Sequence, residues 1–231
     1  MQLSIVFKYF VEEIKSRSEY LTEDSLRYIF FSCMLRLDSS LNHYIMELPY
    51  DMMDGCLSPL YINKKQFISK NGLLEQELDL FHHDGNECLC MEFKFHRNPD
   101  RKAAYAHTDA AGSVFNDIKR LHLVNSNQIP VKRIVVYVTD DEMHNYYTRN
   151  KTAINSLYRK NLETFYSLPL EQTCGEPINA PKTFVSASNK SIASFPSSVS
   201  VKKIYNADFI NAKCCSLKAP GGCHIRIYEV L

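Results

Sequence analysis

Between Leu73 and His96 the chain alternates apolar and charged residues on either side of a turn dipeptide, and no other stretch constrains the fold as much. Leu74, Leu78 and Leu80 alternate with Glu75, Glu77 and Asp79; Asp84-Gly85 follows; then Leu89, Met91, Phe93 and Phe95 alternate with Cys90, Glu92 and Lys94. Side chains of period two point to opposite faces of a sheet, and Asp-Gly favours a tight connection. The spacing predicts an antiparallel hairpin. Loop length then decides which groups meet. A two-residue loop opposes Glu77 to Glu92, Glu75 to Lys94 and Asp79 to Cys90, whereas a four-residue loop over 84–87 opposes Asp79 to Glu92 and Glu77 to Lys94. Either even loop sets Glu77, Asp79, Glu92 and Lys94 on one face; an odd loop separates the two acidic sets.

Neighbouring carboxylates repel unless a cation intervenes or a proton is taken up. Mg²⁺ is an economical solution, since it takes oxygen ligands and needs only one or two carboxylates besides waters. Lys94 shares the face of Glu92 and would orient or activate a water, or stabilise charge on a phosphate. An amphipathic hairpin whose polar face simply meets water is the plainer alternative.

The surrounding elements give this hairpin a frame. Thr22 before Glu23 and Asp24 reads as an N-cap with first-turn acids, and Leu26, Ile29, Phe30, Cys33 and Leu37 recur at helical spacing, predicting a helix over 23–37. Ile5 to Arg17 reads as an earlier helix, Tyr44 to Leu48 as a strand ended by Pro49, and Asp51 to Pro59 as loop. Beyond the hairpin, Val114, Phe115, Ile118 and Leu121 form one helix face, Ile134 to Val138 reads as a strand buried on both sides, and Asp141 to Tyr166 as a helix. Seven serines over 186–200 suggest a loop or linker, after which Lys202 to Tyr205 and His224 to Val230 return to strand-like alternation. The order predicts an α/β core with a mixed sheet flanked by helices. It is expected as one domain over 1–231, its core about 20–140, with a C-terminal β-containing extension about 167–231.

Composition narrows the function classes. With 231 residues, 45% hydrophobic and 23% charged, the chain is globular in composition, and neither a G-x-G-x-x-G nor a G-x-x-x-x-G-K-[ST] string supports a nucleotide-binding loop. No apolar run reaches the length of a bilayer span, and the start lacks a signal peptide's pattern, so a cytoplasmic protein without membrane association is expected. The eight cysteines are expected to be reduced, with no C-x-x-C pair for structural zinc. Net charge +1 conceals an uneven distribution: residues 1–93 hold 8 basic and 15 acidic residues, and residues 94–160 hold 12 basic and 6 acidic. An acidic, cation-holding cluster beside a basic, polyanion-holding surface is compatible with this asymmetry.

Asp79 at a strand end, Glu92-Phe93-Lys94 in the next strand, a preceding helix bearing Glu23 and a following helix and strand together resemble the PD-(D/E)XK phosphodiesterase (restriction endonuclease-like) superfamily, which includes many DNA nucleases. The resemblance covers about residues 20 to 140, and Leu78 stands where the motif's proline would. It implies a restriction endonuclease-like core and Mg²⁺-dependent hydrolysis of phosphodiesters, with Mn²⁺ as a possible substitute. Asp79 and Glu92 would hold the metal, Lys94 would assist the water nucleophile, and Glu23 would supply a further carboxylate. DNA is preferred over RNA by the resemblance alone. A lone site cuts one strand at a time, so double-strand cleavage would favour a homodimer.

Other residues carry weaker expectations. Lys119 and Arg120 are candidates for phosphate contact, beside the alternative of a solvated helix face. Tyr146, Tyr147 and Arg149 would stack on bases and touch backbone, or complete ordinary packing. His82 and His83, next to the turn, are expected as exposed loop histidines rather than metal ligands. The rival to a nuclease is a noncatalytic module that keeps the fold and binds nucleic acid or protein.

Overall fold

The structure, a computed structural model, describes residues 2–50, 60–62, 77–97, 107–148, 163–174, 199–212 and 221–231. Two helices open the chain, α1 (Leu3–Ser16) and α2 (Glu23–Leu35). Thr22 caps α2 by accepting the Ser25 N–H at 3.1 Å, while the Ser25 hydroxyl accepts the Thr22 N–H at 3.2 Å. This reciprocal pair satisfies two otherwise open donors and fixes where α2 begins. Strand β1 (Tyr44–Pro49), short β2 (Leu60–Ile62), and the hairpin strands β3 (Glu77–His83) and β4 (Cys88–His96) follow. Helix α3 (His107–His122), β5 (Val124–Ser126), β6 (Val131–Asp140) and α4 (Asp141–Thr148) lead to the long pair β7 (Val201–Ala212) and β8 (Gly221–Val230). The expected helix over 141–166 is helical through Thr148 and again from 163; residues 149–162, the loop 51–59 and most of the serine-rich stretch lie outside the described residues.

The central sheet has six strands in the order β1-β3-β4-β6-β8-β7, with β4 parallel to β6 and the other neighbours antiparallel. The C-terminal strands are therefore not an appendage: β8 lies against β6 and β7 forms one edge of the sheet. Ile225 and Ile227 pack on the face covered by α1 and α2, together with Phe10, Phe30, Met91, Phe93, Ile134 and Val136. The opposite face packs Cys90, Val135, Tyr137 and Tyr228 against Val114, Phe115 and Ile118 of α3 and Met143 of α4. Both faces of β6 are buried, which explains its unbroken apolar run. Five cysteines among the described residues (33, 88, 90, 174 and 223) are buried.

The hairpin closes with the four-residue loop: Leu80 pairs with Met91, Phe81 with Cys90, His82 with Leu89 and His83 with Cys88. Near its start the alternation breaks. Leu80 packs on the α1/α2 face and Leu78 on the other, and Met46 and Leu48 on β1 divide in the same way. Between them Glu47 has φ +55°, a left-handed conformation that a residue with a Cβ adopts at a cost. Asp79 stands opposite this irregularity.

Candidate active site

Asp79 is the third residue of β3, not at its end as the sequence suggested, and the change of phase turns it toward the start of α2 and the β4 backbone. Its Oδ2 accepts the Phe93 N–H at 2.6 Å and its Oδ1 accepts from Arg27 Nη1 at 3.1 Å. Arg27 also reaches Glu47 at 3.2 Å and pairs closely with Asp24. Burial outweighs these contacts and pushes the Asp79 carboxyl up to about 6, with the Phe93 N–H and Arg27 opposing it.

Glu92 lies on the sheet face covered by α3 and is 2% exposed. The Tyr50 hydroxyl donates to its Oε1 at 2.5 Å, and Arg120 Nη2 lies 3.7 Å from the same oxygen. Burial raises its pKa well above the ordinary carboxylate range; Arg120 opposes the rise, while Asp79 and Asp117 add to it by repulsion. Glu92 therefore feels Asp79, although the β3–β4 register ends at Leu80–Met91 and Asp79 reaches the site through the break in alternation. Glu77 is exposed and takes no part in the cluster.

Lys94 bridges acids from two elements. Its Nζ lies 3.3 Å from Glu23 Oε1 and 3.4 Å from Asp117 Oδ2. Glu23 Oε2 also accepts the Phe95 N–H at 2.9 Å, so the first residue of α2 is tied to β4 by side chain and backbone together. Asp117 above all, then Glu23, Glu92 and Asp79, raises the Lys94 pKa and holds the amine cationic. Each sequence-level candidate from Asp79, Glu92, Lys94 and Glu23 thus belongs to one electrostatic cluster.

Three members of the cluster were not assigned to it from sequence. Arg27 lies one turn into α2, Tyr50 directly follows β1, and Asp117 lies on α3. Asp117 is 1% exposed, pairs closely with Arg120, and has no hydrogen bond to Oδ2. The i, i+3 spacing of Asp117 and Arg120 was the available signal. What sequence cannot show is which side of α3 meets the sheet.

Lys119 and Arg120 do not present an open basic surface. Lys119 is 5% exposed, and desolvation lowers its pKa; the Arg120 side chain is 11% exposed and lies among Glu92, Asp117 and Tyr50. Elsewhere in the basic segment, Arg133 bonds Val124 O and Asn125, and Lys132 pairs with Glu87 at 2.8 Å. Tyr147 is buried and stacks on Tyr166 with centroids 4.4 Å apart, so it completes packing; Arg149 lies outside the described residues. His82, expected in an exposed loop, is 1% exposed inside β3, because the strand continues through His83 up to the turn at Asp84.

The donor set of the cluster is oxygen only, which suits a hard cation, and Asp117 Oδ2 is a buried acceptor with no hydrogen bond. Against this, Arg27, Lys94 and Arg120 already face four carboxylates, Glu23, Asp79, Glu92 and Asp117. No helix among the described residues is long and apolar enough to cross a membrane. The chain matches no protein-family model, no curated protein and no solved structure.

Proposed function

We propose that the protein is a Mg²⁺-dependent phosphodiesterase acting on nucleic acid, with DNA preferred to RNA, on the PD-(D/E)XK plan. The observation that carries this reading is the placement of Asp79 and Glu92 on paired strands with Lys94 beside them, where burial raises both carboxyl pKa values and Asp117 adds to each by repulsion. Carboxyls so placed gain from a divalent cation more than exposed ones would. The order of elements supports it: a helix, three antiparallel strands, a helix, and a strand parallel to the third.

Asp79 and Glu92 would hold Mg²⁺, or Mn²⁺ in its place, with Glu23 and Asp117 as neighbouring carboxylates. Bound there, the ion would polarise a phosphate oxygen and acidify a water. Of the two roles open to Lys94, its raised pKa favours the cationic one: it orients the nucleophile and offsets charge growing on the phosphate, rather than removing a proton. Tyr50, directly after β1, holds Glu92 Oε1, and the Phe93 N–H of β4 holds Asp79, so each carboxylate is positioned by a neighbour.

A second reading has one observation in its favour. Arg120 and Lys94 neutralise the acids from within, as they would in a noncatalytic module whose polar cluster is structural. Incubating the purified protein with plasmid, single-stranded DNA and RNA, with and without Mg²⁺ or Mn²⁺, separates the two. Metal-dependent cleavage lost in Glu92→Gln supports the enzyme; intact substrates under every condition support the module.

A further inference from the structure

At the far end of β3 from Asp79, a second set of ligand-bearing side chains converges from three elements. His82 Nε2 lies 3.1 Å from Asp38 Oδ2, and His43 Nδ1 lies 2.8 Å from the same oxygen. Asp38 Oδ1 accepts the Ser40 N–H at 2.9 Å, and the Tyr44 hydroxyl donates to the Asp38 carbonyl at 3.0 Å. The chain between α2 and β1 is thus folded around this one aspartate. Tyr44 also packs on the His82 ring, with centroids 4.7 Å apart, and fixes its orientation.

Packing alone does not account for this arrangement. His82 is 1% exposed, and its Nδ1 is buried without a hydrogen-bond partner. A site needed only for its volume would be filled better by an apolar residue, because a buried imidazole with one nitrogen unmet is penalised. Asp38 and His82 also line a cavity of about 390 Å³ with Gln2, Leu37 and Asp84. The imidazole and carboxylate therefore border open space.

We infer that Asp38, His43 and His82 form a binding site for a zinc-class divalent cation, with the adjoining cavity supplying its remaining coordination position. One ligand atom from each residue lies within 4.8 Å of the other two. A tetrahedral zinc with bonds of about 2.0–2.2 Å holds its ligand atoms roughly 3.3–3.5 Å apart, so modest side-chain movement seats the ion. Two imidazoles and one carboxylate select zinc and its first-row neighbours over Mg²⁺, which prefers oxygen. Three protein ligands with a fourth position open is the arrangement of zinc centres that bind water or substrate, whereas purely structural centres are closed.

A second such group among the described residues, His144, Asp208 and His224, is less suited. There His224 is held between Asp208 at 2.8 Å and Asp141 at 3.0 Å, and Arg226 lies 2.7 Å from Asp208. A resident cation already occupies the carboxylate, and the hydrogen bonds of His224 are complete.

The test is Zn²⁺ titration of the full chain, free of any polyhistidine tag and in excess Mg²⁺ so that the acidic cluster does not compete. The parent, Glu92→Gln and His144→Ala should each take up one Zn²⁺ with the same affinity and show the same rise in melting temperature. His43→Ala, at a partly exposed position, and Asp38→Asn, which keeps an acceptor for Ser40, should each weaken binding by more than about tenfold while remaining folded by circular dichroism. The inference is overturned if the parent takes up no stoichiometric Zn²⁺, if both variants bind as the parent does, or if His144→Ala abolishes binding instead.

Discussion

Asp79 keeps its proton to about pH 6 because burial disfavours the carboxylate by more than the Phe93 N–H and Arg27 favour it. A folded-state pKa above the unfolded value means that the native state binds more protons through this interval. The stabilisation is complete below about pH 4 and is lost as pH rises through about 6. Asp79→Asn removes the titration while leaving an acceptor for Phe93. In chelator, the parent should therefore lose up to about 3 kcal/mol relative to the variant between pH 4 and pH 7, read by urea denaturation at each pH. A difference that does not change with pH would contradict the assignment. At this scale the sequence was informative in part. Glu92 and Lys94 could be grouped because strand parity is arithmetic, but Asp79 joins them through a break in the alternation, and Arg27, Tyr50 and Asp117 through helix placement and loop geometry, which parity does not encode.

The start of α2 is the element that brings Glu23 to β4. The Thr22–Ser25 capping pair sets its first turn, and Glu23 then meets both Lys94 and the Phe95 N–H. Thr22→Ala should cost about 1 kcal/mol of stability, measured by denaturant midpoint, as loss of a helix N-cap does. A variant as stable as the parent would show that the Glu23 contacts hold the helix start unaided. The helix was legible because a cap and an apolar period agree, and its observed end at Leu35 falls near the expected one. The phase change at Glu47 and Asp79 was not legible, since a left-handed Glu has no residue signature of the kind glycine supplies. The same break explains why Leu78 and Leu80, which simple alternation places together, pack on different faces.

Across the whole molecule, the C-terminal strands complete the sheet that positions the site. Ile225, Ile227, Tyr228 and Val230 are buried on β8, and burial of each large apolar side chain contributes roughly 1.5–3 kcal/mol, so together they rival a domain's entire net stability. Deleting residues 199–231 should leave a chain without a cooperative thermal transition; a well-folded truncation would contradict the shared core. Sequence suggested an extension here because β7 and β8 follow a long serine-rich interval, and local pattern does not state that β8 lies beside β6. The proposed function assigns phosphodiester hydrolysis to the Asp79–Glu92–Lys94 cluster. The most direct measurement is plasmid nicking by the parent, Glu92→Gln and Lys94→Met at equal concentration with Mg²⁺, with chelator as control. The account predicts nicking by the parent that disappears in chelator and falls by at least about a hundredfold in either variant, the scale expected when a group stabilising transition-state charge is removed. Equal nicking by all three proteins, or none by the parent with either Mg²⁺ or Mn²⁺, would contradict it.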